Sequence, residues 1–181
     1  MITTTTSATE NVIAPWRHVR AIALLPLMNT VIIPGILLAL TPATPPYSMR
    51  GLAIAVATVG TMLLAGGAVL VAHCIRLFIR LGRGTLAPWD PTRELVSVGA
   101  YRYSRNPMKG GLFLVLAGEA VLTGSSALAV WAVSFALVNV LYIRLHEEPG
   151  LYARFGAPYR DYCARVPRWW PTLASLRAAI H

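Results

Sequence analysis

Two stretches of the chain concentrate the side chains that could do chemistry. The first runs from Leu81 to Lys109 and reads Leu-Gly-Arg-Gly-Thr-Leu-Ala-Pro-Trp-Asp-Pro, then Leu95-Val-Ser-Val-Gly-Ala-Tyr-Arg-Tyr-Ser-Arg-Asn-Pro-Met. Gly82 and Gly84 let backbone come close to a ligand or another helix. Pro88 and Pro91 fix the path around Trp89. The second starts at His146-Glu147-Glu148-Pro149 and ends at Val166-Pro167-Arg168-Trp169-Trp170-Pro171. Paired carboxylates can accept hydrogen bonds from hydroxyl or ammonium groups, or act as a base, and arginines can clamp a carboxylate. Other chemistries are excluded. His146 has no second histidine four positions on, so there is no zincin site. Gly124 and Ser126 do not complete a Gly-x-Ser-x-Gly elbow. Cys74 and Cys163 lie far apart, with neither zinc spacing nor a disulfide framework, and no metal is expected.

The elements that must position these residues belong in a bilayer. Of the 181 residues 56% are hydrophobic and only 13% charged, outside the globular norm on both counts. The formal charge of +9 is nearly all arginine, Lys109 being the sole lysine. Such a balance suits nucleic acid too, but the long apolar runs favour a membrane, and no nucleic-acid partner is expected. A span needs about 20 apolar residues. Ala21 to Leu40 is the first candidate, with Pro26 and Pro34 predicting a kink or local unwinding. Thr41 to Ser48, with three prolines, is a turn. Gly51 to Ile79 is the second span, with Arg76 and Arg80 at the headgroups. Ala53, Ala57, Gly60 and Gly67 give it a small-residue face that lets helices approach closely. Met108 to Leu145 holds a helical hairpin broken near Thr123-Gly124-Ser125-Ser126; its first arm, Lys109 to Leu122, is short for a span, and its second is Ala127 to Leu145.

Basic residues set the orientation. Arg17 and Arg20 precede the first span, a second group from Arg76 to Lys109 lies between the second and third, and a third group follows the fourth. Only Arg50 falls in the opposite loops, so four spans put nearly all the positive charge on one side, the cytoplasmic one, with both ends inside. The expected organisation is a disordered Thr-rich segment over 1–15, two transmembrane helices over 16–80, a core over 81–171 and a tail over 172–181. The fold class is all-α integral membrane, with about four transmembrane helices, a cofactor pocket at the cytoplasmic face and a C-terminal amphipathic helix over Leu151 to Val166. The setting expected is the cytoplasmic membrane of a prokaryote.

The pattern Gly99-Ala-Tyr101-Arg102-Tyr-Ser-Arg105-Asn106-Pro107-Met108 resembles the signature of the isoprenylcysteine carboxyl methyltransferase and phospholipid N-methyltransferase superfamily. Its companions follow in order: a helical hairpin, Glu147-Glu148, Phe155-Gly156, Tyr159, Tyr162 and Val166-Pro167-Arg168-Trp169-Trp170-Pro171. Gly82-Arg83-Gly84-Thr85 is similar to the glycine motif that phospholipid methyltransferases place upstream. The likeness covers Leu81 to Pro171, and its strength is the order of the pieces. It implies a helical membrane enzyme without a Rossmann domain. Such an enzyme binds S-adenosylmethionine at the cytoplasmic boundary and takes a lipophilic acceptor from the bilayer, such as a prenylated cysteine carboxylate or a phospholipid amine. On this resemblance the cofactor-binding residues are Gly82, Gly84, Thr85, Tyr101, Arg102, Asn106, Pro107, Met108, Glu147, Glu148, Tyr159 and Tyr162. The catalytic candidates are Arg105, Glu148 and Arg168.

One departure bears on substrate. Lys109 stands where such proteins usually carry an aromatic, commonly Tyr, and a cation there favours an anionic group. Plainer readings stand beside these. Arg83 and Arg177 suit lipid phosphates, His73 and His146 suit structural hydrogen bonds, and Trp169-Trp170 suits an interfacial anchor. Glu119, the one carboxylate inside an apolar helix, is a functional candidate by position. The rival class is a non-catalytic four-span scaffold or a lipid-binding or transport subunit. A transport path would place polar groups at the midplane, whereas here they cluster at one interface.

Overall fold

The computed structural model describes residues 23–41, 50–81 and 94–172, and all of its regular structure there is helical. The glycine motif with Gly82, Gly84 and Thr85, the Thr-rich segment 1–15 and nearly all of the expected tail lie outside the described residues.

Proline shapes the first element. A π-helical stretch, Ala23–Ile32, contains Pro26 and leads into α1, Ile33–Leu40, with Pro34 in its first turn. The unwinding expected from the two prolines is present. Thr30 donates its hydroxyl to the Pro26 carbonyl at 2.8 Å. The Asn29 carbonyl lies five residues before Pro34, which has no N–H to give. It accepts the indole N–H of Trp131 at 3.1 Å instead.

Helix α2, Arg50–Leu81, has 32 residues and at 1.5 Å per residue runs about 48 Å, well beyond the hydrocarbon thickness. It packs most extensively on α3, Pro107–Thr123. Two glycines seven apart on each helix make the seam. A Cβ on Gly67 would stand 2.6 Å from the Gly111 carbonyl, and one on Gly118 would stand 2.8 Å from the Gly60 carbonyl. Only hydrogen fits, so the backbones meet directly. Gly60 and Gly67 of the expected small face are buried in this seam, while Ala57 is exposed.

Helix α3 ends where expected, at Gly124 in the left-handed conformation. Ser125 then caps α4, Ser126–Tyr142, by accepting the Leu128 N–H. A π-helical turn, Ile143–Glu147, joins α4 to α5, Glu148–Phe155. Pro149 causes it: without an N–H it cannot bond the Leu145 carbonyl, and Glu148 N–H reaches back five residues to Ile143. The run from Ser126 to Phe155 is thus one helix of 30 residues.

The single amphipathic helix expected over Leu151 to Val166 is instead two. Gly156, at φ 58° and ψ −126°, separates α5 from α6, Ala157–Arg165. Gly followed two residues later by Pro158 stops one helix and starts the next. Among the described residues two helices, Arg50–Leu81 and Ser126–Phe155, are long and apolar enough to cross a membrane. Val69, Met62, Val130 and Leu145 are all about two-thirds exposed. Side chains of that kind need a lipid surround.

Candidate active site

The site is assembled at the end of α3 nearest the loop 94–106. Ser104, Arg105 and Asn106 are stapled to the tail that follows α6. The Arg105 N–H bonds the Pro167 carbonyl at 2.9 Å. The Ser104 hydroxyl and the Asn106 amide both donate to the Arg168 carbonyl, at 3.3 and 3.2 Å. Tyr162 of α6 donates its hydroxyl to the Tyr101 carbonyl at 2.8 Å. Residues some sixty positions apart in sequence are therefore fixed side by side.

Glu148 is the hub of this assembly. Its side chain is 10% exposed. Its Oε1 accepts Arg105 Nη1 at 2.8 Å and Arg168 Nε at 2.9 Å, and its Oε2 accepts Arg168 Nη2 at 2.6 Å. The Arg168 contact is the bidentate fork that suits guanidinium and carboxylate. The Glu148 hydrogen bonds push the Arg168 pKa up, so this arginine stays charged. Arg105 Nη1 also contacts Cys163 Sγ at 3.0 Å, while its Nε is buried without a partner. Glu147 pairs separately with Lys109 of α3. The Lys109 ammonium also sits 5.4 Å from the centre of the Tyr142 ring, which stacks in turn on His146.

A cavity of about 450 Å³ opens beside these groups. Arg105, Asn106, Lys109, Glu147 and Glu148 form its polar part, and Tyr101, Met108, Leu151, Tyr159 and Tyr162 its aromatic and apolar part. Burial pushes the phenols of Tyr101, Tyr159 and Tyr162 above their ordinary pKa, so none is an ionised base near neutrality. The far wall comes from Pro26 and Asn29 before α1, with Leu112, Phe135 and Asn139.

Most of the residues singled out in the sequence converge here: Arg105 and Glu148 with Tyr101, Asn106, Met108, Glu147, Tyr159 and Tyr162 on the wall, and Arg168 gripping the hub. Pro107 is buried at the start of α3 without lining the cavity, and Arg102 is exposed away from it. Glu119 also lies off the cavity wall, its Oε2 buried without a partner. Trp169 packs on the Phe113 ring at 5.5 Å, whereas Trp170 is exposed. Sequence reasoning missed Asn139, Tyr142, Phe135 and the wall before α1; His146, read as a structural hydrogen-bonder, also lines the cavity. Asn139 offered a signal, a lone amide in an apolar helix. Among the described residues no three His, Cys, Asp or Glu side chains cluster as a metal ion requires.

The family model for phospholipid methyltransferases matches residues 54–157, from within α2 to the start of α6. This chain belongs to the phospholipid methyltransferase family. The two long apolar helices agree with an integral membrane member of it. The nickel-cobalt-cadmium resistance protein NccN of Alcaligenes xylosoxydans xylosoxydans is 34% identical over 86 residues, 47% of this chain and 39% of that protein. Methanethiol S-methyltransferase 2 of Bradyrhizobium diazoefficiens is 36% identical over 80 residues, 42% of this chain and 29% of that protein. The chain thus spans well under half the length of these relatives, and no solved structure matches it. The matched range of the family runs from 54 to 157, so the wall before α1 precedes it and Tyr159, Tyr162 and Arg168 follow it.

The family implies a methyl donor, and the residues present fit S-adenosylmethionine. The cavity volume lies in the range of small-molecule and cofactor sites. Its wall sets aromatic rings beside both carboxylates and guanidinium groups, the mixture that an adenine, a ribose, an amino-acid zwitterion and a sulfonium require. The unpartnered Arg105 Nε is an interior donor that lacks an acceptor.

Proposed function

We propose that this chain is a multi-pass membrane enzyme that transfers a methyl group from S-adenosylmethionine to a lipophilic acceptor. One observation carries the reading: Glu148 gathers Arg105 and Arg168, from opposite sides of the family motif, at the wall of a cofactor-sized cavity. In this reading four helical segments span the bilayer, with the site and both ends of the chain at the cytoplasmic face. The basic residues around Arg76–Lys109 and after Arg144 support that orientation.

Tyr101, Tyr159, Tyr162 and Met108 would cover the adenine, Arg105 would hold the amino-acid carboxylate, and Glu147 would face its ammonium or the ribose hydroxyls. When bound, the cofactor supplies an electrophilic methyl on a sulfonium. The protein contributes placement: the stapled loop and tail hold the arginines, and the apolar wall excludes water from the reacting atoms. Glu148 acts through the arginines that it positions, since guanidinium donors occupy most of its lone pairs. Arg168, gripped by the same hub, is placed with it. Gly82, Gly84 and Thr85 complete the cofactor set by family likeness.

The test is calorimetric titration of S-adenosylhomocysteine into detergent-purified protein, with Glu147→Gln alongside. Saturable binding by the wild type, weakened at least about tenfold in the variant, is the expected result, since a hydrogen bond to a charged group is worth about 1.5–3 kcal/mol. No binding by folded wild type defeats the enzyme reading and favours a non-catalytic membrane scaffold.

A further inference from the structure

Resting on the methyltransferase reading, we infer that Lys109 selects the acceptor and that the acceptor is an anion on an apolar chain, not a cationic amine. The motivation is a charge count within the enclosure. Arg105, Lys109 and Arg168 have side chains 13%, 17% and 29% exposed. Among the described residues of the cavity wall two carboxylates oppose them, Glu148 at 10% and Glu147 at 35% exposed. S-adenosylmethionine does not cancel this excess, because it carries one net positive charge of its own near neutrality. An ammonium acceptor would add another positive charge in a partly dehydrated space, where like charges repel most strongly.

The position of Lys109 is specific. Glu148 is held by Arg105 and Arg168 without it, so Lys109 belongs to a second, separable pair. It lies in the first turn of α3, where the helix dipole adds positive potential and the Asn106 side chain makes no cap. It is more enclosed than its partner Glu147. Next to it the wall turns apolar through Leu112 and Phe135, which suits the acceptor's hydrocarbon. With an anionic acceptor the chemistry is simple. An oxygen lone pair of the acceptor carboxylate forms the O–CH3 bond as the S–CH3 bond breaks, the electron pair stays on sulfur, and no proton needs a base. Attraction across the two ions also favours their encounter. The hub agrees with this: Glu148 is occupied by guanidinium donors, and Tyr101, Tyr159 and Tyr162 are held as neutral phenols.

The probes are decanoate and decylamine, which share a tail and differ in charge. Each is titrated calorimetrically into the full chain in dodecyl maltoside, with empty micelles as reference, with and without S-adenosylhomocysteine. Methyl transfer from labelled S-adenosylmethionine to each is followed in parallel. Wild type is expected to bind decanoate at least tenfold more tightly than decylamine and to methylate it preferentially. Lys109→Met removes most of that preference, while Lys109→Arg, which keeps the charge, retains it within about threefold. S-adenosylhomocysteine still binds saturably in both variants, its affinity being measured alongside the preference. Equal or tighter binding of decylamine by wild type overturns the proposal, as does an unchanged preference in Lys109→Met. A wild type that binds the homocysteine product but neither probe also overturns it. A wild type that prefers decanoate yet never binds S-adenosylhomocysteine overturns the methyltransferase reading instead, so the two failures are distinct.

Discussion

Replacing Glu148 with Gln should destabilise the protein before it says anything about catalysis. The carboxylate accepts three N–H donors at 2.6–2.9 Å from two arginines, and neither its own side chain nor that of Arg105 has much access to water. Removing one partner of a buried ion pair costs about 3–5 kcal/mol, because the charge left behind stays dehydrated. Here the cost is reduced, since Arg168 is 29% exposed and can turn toward solvent. Arg105 cannot do the same, its Nε being already buried without a partner. About 2–4 kcal/mol is the resulting expectation. For a chain of this size 1 kcal/mol moves the midpoint by about 2–4 °C, so the variant should unfold about 5–15 °C below wild type in the same detergent. A double-mutant cycle with Arg168→Met should return a coupling of about 1–3 kcal/mol, the double variant losing less than the sum of the single ones. A midpoint within about 2 °C of wild type, or strict additivity in the cycle, would refute the hub.

Three glycine substitutions use the same assay. Gly67→Ala should lower the midpoint by about 3–10 °C, because its Cβ would meet the Gly111 carbonyl at 2.6 Å and the Val115 nitrogen at 2.8 Å, and overpacking costs about 1–3 kcal/mol. Gly110→Ala, whose Cβ meets nothing within 4 Å, should leave the midpoint unchanged or raise it, since Ala is the better helix former by about 0.5–1 kcal/mol. Equal shifts in the two would deny the backbone seam between α2 and α3. Gly156→Ala has open space for its methyl, so any loss comes from φ 58° and ψ −126° alone. A cost of about 1–3 kcal/mol is expected, and one below about 0.5 kcal/mol would mean that the α5–α6 corner relaxes freely.

What could be read from the sequence follows from how local each signal is. The boundaries of α2 and α3 rest on apolar runs, with Gly124 and Ser125 acting within a turn at the hairpin, and they fell close to those expected. The arm expected to end at Leu145 runs on instead through the π turn to Phe155. The pairing of Arg105 with Glu148 was approachable because both lie in motifs whose order is itself a pattern. The cavity was not, since its wall draws on Asn29, Phe78, Leu112, Asn139 and Tyr162, from five separate elements. No spacing relates such residues; only helix packing does. The split at Gly156 is a different kind of miss. Leu151, Phe155, Tyr159 and Tyr162 keep a helical period through it, and the period outweighed the Gly and Pro158 that break the chain.

The π turn before α5 shows why sequence motif and site geometry are inseparable here. In a regular α-helix adjacent residues point about 100° apart, so two neighbouring glutamates would face different surroundings. Pro149 denies the Leu145 carbonyl its normal donor, and the widened turn brings Glu147 and Glu148 onto one cavity wall. They still serve separate partners, Glu148 reaching the two arginines and Glu147 reaching Lys109. The Glu-Glu-Pro triplet is therefore one device: the proline makes the bulge, and the bulge lets adjacent carboxylates divide the arginine network from Lys109. Lys109 can then be replaced without dismantling the Arg105–Glu148–Arg168 clamp, because its charge is answered by a different glutamate. That separation is what would let acceptor preference change in this family while the clamp stays in place.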